Sequence, residues 1–335
     1  MSAKKRVSPF KVILTAICSL VLLVIVVFIS LMYIFPLFEY GPRGKVEGTN
    51  NWMKDLNDEM LISEVVLPGS HDTAAIKSDL SYFTKCQSLN VKEQLNSGFR
   101  YLDIRLDLTE DDQIMLMHGW CHCRVHNFPL SSLLYLDKIL KDCYEFLDEN
   151  PTECIVFTVK SENSKTDVAK LQILLDNLIK TNEKYWLLTD KLPKVGELRG
   201  KMLLLRRYSN KAELENPGIM FDWNDQNATD DLTKHIESNS YNPDFTLFIQ
   251  DRYKYNSEEK WNAFVNSINY MPEGNDYVKV SFLSTNGSIT YGHPYKYANA
   301  LNKKLLDSDI ELNGWVIVDF CSPKLAERIY RYNFE

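Results

Sequence analysis

His71 and His118 are where a chemical reading of this chain begins, because each stands at the end of a short apolar run with a charged or flexible residue beside it. The first run closes on Pro68-Gly69-Ser70-His71-Asp72, the next carries Leu102-Asp103-Ile104-Arg105, and the third closes on Leu116-Met117-His118-Gly119. Four later runs end in Val159-Lys160-Ser161-Glu162, Leu205-Arg206-Arg207, Gln250-Asp251-Arg252-Tyr253 and Ile317-Val318-Asp319. Any one of these endings is commonplace, since His, Asp and Arg cap strands in many proteins. Charged groups at the ends of seven runs, taken together, would build one polar cup. Two imidazoles in such a cup suit acid–base work, because their unperturbed pKa lies near neutrality. An arginine beside them would counter the charge that builds on a phosphate during in-line displacement. Carboxylates next to the histidines would hold their tautomers and stabilise the imidazolium forms. Two histidines, one arginine and several aspartates together point to phosphodiester cleavage.

The elements that must position these groups alternate in kind. Candidate strands cover residues 61–67, 101–106, 114–117, 155–159, 202–205, 245–249, 278–282 and 315–318. Candidate helices between them cover residues 91–97, 130–147, 166–179, 257–268, 294–306 and 324–332. Alternation of this kind predicts a mainly parallel sheet with helices outside. Eight strands in some 285 residues is the size of a (β/α)₈ barrel, in which reactive side chains gather where strands end. One connection departs from the pattern. The acidic turn Thr109-Glu110-Asp111-Asp112 between the second and third strands leaves no room for a helix, so a distorted barrel is expected there.

The first forty of the 335 residues read differently. Lys4, Lys5, Arg6 and Lys11 precede an uncharged, mostly apolar run at residues 12–38, long enough to cross a bilayer and too long for a signal-peptide core. No small-x-small cleavage site follows it. Basic residues crowd the N-terminal flank, whereas Arg43 and Lys45 are offset by Glu39 and Glu47. The positive-inside rule then keeps residues 1–11 cytosolic and makes 12–38 a signal anchor. Residues 39–51 read as a linker, and residues 52–335 as a barrel in the lumen or outside the cell. The expectation is a single-pass type II membrane protein with only an anchor before its barrel and nothing after it.

A net charge of −7 and the lack of a basic stripe argue against a nucleic-acid partner. Cys18 sits in the apolar run; Cys86, Cys121, Cys123, Cys143, Cys154 and Cys321 lie beyond it, an even number that permits disulfides without fixing their pairing. The sequons at Asn227 and Asn286 agree with a lumenal glycoprotein. Cys121-His122-Cys123 with His126 has ligands spaced too tightly for an ordinary zinc site. A disulfide from Cys86 to Cys121 or to Cys123 is favoured instead, because those segments follow the first and third strands. His235 and His293 read as surface or packing residues, and Tyr82 and Phe83 equally as core or as membrane rim.

Residues 52–332 resemble the bacterial-type phosphatidylinositol-specific phospholipase C family, the X-type catalytic barrel. The resemblance rests on residues 66–73, the run Gly98-Phe99-Arg100-Tyr101-Leu102-Asp103-Ile104-Arg105, His118-Gly119, residues 201–209, Gln250-Asp251-Arg252-Tyr253-Lys254 and residues 314–319, six motifs in order. It implies a lyase that cleaves the inositol phosphodiester into diacylglycerol and a cyclic inositol phosphate. His71 would be the general base, oriented by Asp319. His118, paired with Asp72, would be the general acid. Arg105, held by Asp103 or a neighbouring group, would bind the phosphate, and Lys160, Glu162, Arg207, Asp251 and Tyr253 would bind the inositol ring. No cofactor is expected. A guanidinium in place of Ca²⁺ implies metal independence, since calcium sites need several oxygen donors. The implied partners are the bilayer and an inositol phospholipid, either phosphatidylinositol or a glycosylated inositol lipid.

Two other readings compete with this one. A glycerophosphodiester phosphodiesterase also uses a barrel and paired histidines, but it would need a His-Arg start and an acidic metal set that this chain lacks. A non-catalytic inositol-lipid receptor would not require an acid–base pair.

Overall fold

Seven of the eight expected strands lie side by side in one curled, mainly parallel sheet, preceded by a long apolar helix. The computed structural model describes residues 8–128, 130–226, 237–239, 244–274, 276–287 and 292–335. In chain order the strands are β1 (Leu67–Ser70), β2 (Tyr101–Leu108), β3 (Ile114–His118), β4 (Cys121–His122), β5 (Ile155–Ser161), β6 (Trp186–Leu187), β7 (Met202–Arg206), β8 (Ile219–Met220), β9 (Glu237–Asn239), β10 (Thr246–Gln250), β11 (Tyr277–Phe282) and β12 (Trp315–Val318). The sheet runs β6-β7-β5-β2-β1-β12-β11-β10-β9, with β8 pairing the far end of β7. Every pair from β7 round to β10 is parallel. Among the described residues no ladder joins β8 to β10, so the barrel is curled and open on that side.

The helices are α1 (Pro9–Ile29), α2 (Ser81–Thr84), α3 (Val91–Asn96), α4 (Leu136–Glu149), α5 (Val168–Thr181), α6 (Val195–Leu198), α7 (Ser257–Asn269), α8 (Pro294–Asp307) and α9 (Pro323–Tyr330). The starts of α3 and α7 are fixed by capping boxes, Asn90 with Glu93 and Asn256 with Glu259, which satisfy first-turn N–H groups. Helices α3, α4 and α5 cover the outer face of β2, β5 and β7. Leu102, Ile104, Phe157, Val159 and Leu204 pack there with Phe146, Leu147, Leu171 and Leu175.

Four expectations about elements are corrected. β3 is not a barrel strand: it folds back on β2 as an antiparallel hairpin, Leu106 opposite Leu116, because the acidic turn is too short to cross over. The place of an eighth strand goes to the two-residue β8, which pairs with Leu205 and Arg206. β1 starts at Leu67 rather than residue 61, since the chain before it is turns that lock onto the base, Ile62 N–H donating to Pro193 O. Helix α4 starts at Leu136 rather than residue 130, because Leu133 and Tyr135 are extended and bridge Arg124 and Met115.

Strand alternation decides which residues face the interior. Tyr101, Asp103 and Arg105 share one face of β2, while Leu102, Ile104 and Leu106 face the helices. The same parity sends Val156, Thr158 and Lys160 inward from β5, Leu203, Leu205 and Arg207 from β7, and Leu247, Ile249 and Asp251 from β10. Gly69 is required by this packing. A Cβ there would lie 2.3 Å from Ile317 Cδ1 and 2.9 Å from Tyr101 Cβ, so no larger residue leaves the strands room to close.

Residues 39–51 are not a free tether. Gly41 packs against the Phe320 carbonyl, where a Cβ would meet the oxygen at 2.1 Å, and Gly44 lies against Lys324. Thr49–Asp55 forms a 3₁₀ helix at the barrel base. There the fully buried Arg100 donates to Glu153 at 2.7 and 3.0 Å and to the carbonyls of Thr49 and Asn50. Residues 9–38 include one helix long and apolar enough to cross a membrane.

Candidate active site

The strands deliver their functional side chains by the alternation just described, and all the expected site residues line one cavity of about 520 Å³ except Asp72 and Asp103, which are buried against Arg105. His71 follows β1 directly, with its N–H bonded to Val318 O, and stands beside Asp319, which follows β12. Its Nδ1 lies 2.7 Å from Asp319 Oδ1, and its Nε2 is 2.9 Å from Arg105 Nη2. An arginine nitrogen can only donate, so Nε2 accepts and Nδ1–H donates to the carboxylate. His71 is thereby held as a neutral imidazole whose Nε2 lone pair accepts from Arg105 at the cavity wall. Burial works against a charged His71, but Asp319 outweighs it and raises the pKa above the ordinary histidine value.

His118, at the tip of β3, is fixed differently. Its Nδ1 donates to Thr84 O at 2.6 Å, since a carbonyl can only accept. Its Nε2 faces Asp72 Oδ2 at 3.5 Å. Burial pushes the Asp72 carboxyl above the usual carboxylate range, with His118 and Arg105 opposing. Asp72 and His118 Nε2 thus form a close pair at the inner edge of the cavity. Asp72 itself is held at φ 43°, a left-handed conformation uncommon outside glycine and stored here beside the reacting groups. The two imidazole centroids are 6.4 Å apart with rings nearly perpendicular, leaving a phosphate-sized gap between them.

Arg105 sits across that gap. Its guanidinium donates to Asp103 Oδ2 at 3.2 and 3.3 Å and to Glu162 Oε1 at 3.0 Å, and its Nε is 3.4 Å from Asp72 Oδ2. Asp103 would be raised by burial, but Arg105, His71 and Arg207 hold it below the usual carboxylate range. Glu162 is likewise held well below its usual range against burial, by Arg105 and Lys160, and it also accepts the Gly119 N–H at 2.9 Å. Asp72 and Asp103 are thus shifted in opposite directions although both are buried.

The remaining expected residues surround the cup. Lys160 pairs with Glu162 at 2.8 Å; Arg207 lies over the Trp223 ring at 3.4 Å; Asp251 accepts from Trp223 Nε1 at 3.1 Å; and Tyr253 OH reaches Asp225 Oδ2 at 3.1 Å. All four expected residues line the cavity. Trp223 and Asp225 line it too, and a strand-by-strand reading misses them because β8 is only two residues long. Continuing its alternation through Phe221, Trp223 and Asp225 would have found them. The Thr84 carbonyl and Cys86, whose Sγ is 3.8 Å from His118 Nδ1, carry no signal in the sequence.

The cysteine expectation needs correction. All seven cysteines are free thiols, so Cys86 bonds to neither Cys121 nor Cys123. Burial raises the thiol pKa of Cys86 and Cys123 far above normal and that of Cys121 to about 11, which keeps them unreactive. Cys86 does bring a sulfur within 4.8 Å of a nitrogen and an oxygen from each His–Asp pair. The zinc reading of Cys121, His122, Cys123 and His126 finds no support, because His122 bonds to Asp79 at 3.0 Å and His126 is exposed. Asn286 lines the cavity, its backbone N–H bonded to Tyr253 O, so a glycan there would obstruct the mouth. Asn227 and His235 lie outside the described residues.

Asp319 is the most direct handle on His71. Below the raised His71 pKa the ring is protonated and cannot accept, so kcat/KM should fall as pH drops through a value above the usual 6.5. Asp319→Asn removes the carboxylate that raises it. The acid limb is expected to move to lower pH while kcat falls by about 10²-fold or more, as measured by a pH–rate profile.

Comparison with known proteins follows the same lines. Residues 62–208 match the family model described as "Phosphatidylinositol-specific phospholipase C, X domain". The 1-phosphatidylinositol phosphodiesterase of Staphylococcus aureus (strain Newman) is 29% identical over 292 residues, covering 81% of this chain and 88% of its own. The enzyme of the same name from Listeria monocytogenes is 25% identical over 307 residues, covering 85% of each chain. In three dimensions the chain resembles a mutant of the S. aureus phosphatidylinositol-specific phospholipase C with a TM-score of 0.69 at 24% identity, covering 85% of this chain and 98% of that one. The L. monocytogenes counterpart gives 0.65 at 22% identity, covering 86% and 99%. The likeness of these structures establishes the barrel fold, and the family model and the relatives support the family.

Proposed function

We propose that this chain is a membrane-anchored phosphatidylinositol-specific phospholipase C, a phosphoric diester lyase that works by histidine acid–base catalysis. One observation carries the reading: two imidazoles, one oriented as acceptor by Asp319 and one facing the Asp72 carboxyl, flank a single guanidinium in one cavity. The inositol 2-hydroxyl gives its proton to His71 Nε2, and its oxygen attacks the adjacent phosphorus. The bond from phosphorus to the diacylglycerol oxygen breaks, and that oxygen takes the proton held between His118 and Asp72. The nucleophile and the phosphate belong to one molecule, so no water need be recruited. Arg105 occupies His71 Nε2 in the free site; an incoming phosphate draws the guanidinium onto its non-bridging oxygens and frees that lone pair. Lys160, Arg207, Asp251 and Tyr253, with Trp223 and Asp225, supply donors, acceptors and ring faces for an inositol. A pure receptor would have no need of the oriented lone pair facing a proton donor.

The basic flank at Lys4-Lys5-Arg6 favours a barrel on the exoplasmic side. Glycosylated inositol lipids, which are confined to that side, are then natural substrates alongside phosphatidylinositol. The test offers the full-length chain in mixed micelles phosphatidylinositol, a glycosylated inositol lipid and phosphatidylcholine. Cleavage of the first two and not the third is expected. A glycosylated lipid left intact while phosphatidylinositol is consumed would remove the anchor-lipid assignment, and no cleavage of either would remove the activity.

A further inference from the structure

Helix α1 has 21 residues, which at about 1.5 Å each roughly matches a hydrocarbon core of about 30 Å. The apolar run does not stop there. It continues through a π turn, Ser30–Ile34, and a 3₁₀ turn, Phe35–Phe38. Along α1 no residue is buried, whereas Tyr33 is 6% exposed and Glu39 only 2%. The exit of the span is therefore packed, and it is packed on the barrel mouth. Asn127 Nδ2 donates to Tyr33 O, and Phe35 lies 6.4 Å from both Tyr82 and His293. Lys85 Nζ donates to Pro36 O and Glu39 O at 2.5 and 3.0 Å, and His293 Nε2 pairs with Glu39 Oε1 at 2.7 Å. Tyr82 stacks on His293 at 4.1 Å, closing the contact.

The barrel segments gripped in this way frame the catalytic cavity. Leu80, Phe83 and Thr84 of the α2 region line it, as does Pro294 next to His293, and Thr84 also fixes His118. Beside the same contact the rim exposes Trp120 at 70%, Phe128 at 60% and Leu130 at 95%. Large apolar side chains so exposed, contiguous with a bilayer-crossing helix, fit a lipid surface.

We propose that residues 33–41 are a positioning clamp that holds the cavity mouth against the bilayer containing the anchor. The enzyme then cleaves lipids of that bilayer and not those of another membrane. The proposal builds on the phospholipase reading, adding where the substrate must come from. Lys85, Glu39, His293, Tyr33 and Asn127 act through the mouth's orientation and touch no substrate. A barrel on a loose tether would share the effective-concentration advantage of the anchor but could also turn its mouth to a neighbouring vesicle.

The test reconstitutes the full-length chain into vesicles carrying one labelled phosphatidylinositol, mixed with protein-free vesicles carrying a second label. Wild type is expected to cleave lipid of its own bilayer at least tenfold faster than lipid of the other. In the Glu39→Ala/Lys85→Ala double variant that ratio should fall at least threefold, while activity in detergent micelles stays within about twofold. Hydrogen exchange of the α2 amides should quicken at least tenfold in the same variant. A variant with wild-type micelle activity and an unchanged vesicle ratio would overturn the clamp. Should the double variant fail in micelles, Asn127→Ala, which removes the bond to Tyr33 together with the one accepted from Ser81 Oγ, is judged by the same ratio. Wild type inactive in micelles would sink the phospholipase reading, and the exchange comparison alone would then decide the clamp: unchanged α2 exchange overturns it.

Discussion

Replacing either His71 or His118 by alanine is expected to lower turnover of phosphatidylinositol by about 10³-fold or more, and the double variant should be worse by less than about tenfold. The two rings belong to one proton circuit. His71 presents Nε2 as an acceptor because Asp319 takes its Nδ1 proton. His118 presents Nε2 beside Asp72 because Thr84 O takes its Nδ1 proton. Without the base the hydroxyl keeps its proton; without the acid the diacylglycerol oxygen leaves as an alkoxide. Either loss stops the same concerted step, so the second loss removes little more. Steady-state rates of the three variants in micelles decide the matter, and additive losses would mean that the rings act in separate steps.

Arg105→Ala is expected to cost at least about 10³-fold in kcat/KM, and Arg105→Lys somewhat less. The guanidinium is a fork, and three carboxylates aim it: Asp103, Glu162 and Asp72. A lysine keeps the charge but cannot satisfy three carboxylates and still meet two phosphate oxygens. In the alanine variant three buried acids lose their common cation, with Glu162 keeping Lys160 and Asp72 keeping His118, a penalty of up to about 3–5 kcal/mol by analogy with other broken buried pairs. Its Tm should therefore fall as well. Measuring kcat/KM and Tm for both variants separates the two effects, because the lysine variant should recover most of the lost stability and only part of the lost rate. A lysine variant with wild-type kcat/KM would show that the fork geometry is not used.

The barrel and its cup were legible because period-2 alternation carries through each strand into the residue beyond it. Asp103 and Arg105 on β2, or Asp251 after β10, can be placed from spacing alone. The hairpin at β3 was half legible, since the turn at 109–112 ruled out a helix without showing that the strand would leave the barrel. β8 was not legible, for two residues give no period, and Trp223 and Asp225 were lost with it. The partners that tune the site depend on loop conformation. Thr84 O, a backbone carbonyl, has no residue-type signature, and Glu162 could be placed at the cup but not on Arg105 and the Gly119 N–H. Even cysteine number suggested disulfides, but the structure buries these side chains as thiols. Residues 39–51 read as a linker, but Gly41 and Gly44 are close-packing positions against Phe320 and Lys324, contacts that no local pattern announces.

The most direct measurement is phosphorus NMR of the products when the purified full-length chain acts on phosphatidylinositol in micelles with excess chelator. The account predicts a cyclic inositol phosphate as the first product, formed at an undiminished rate, with the His71→Ala chain giving none on the same timescale. An open-chain inositol phosphate as the first product, or activity lost in chelator and restored by Ca²⁺, would contradict it.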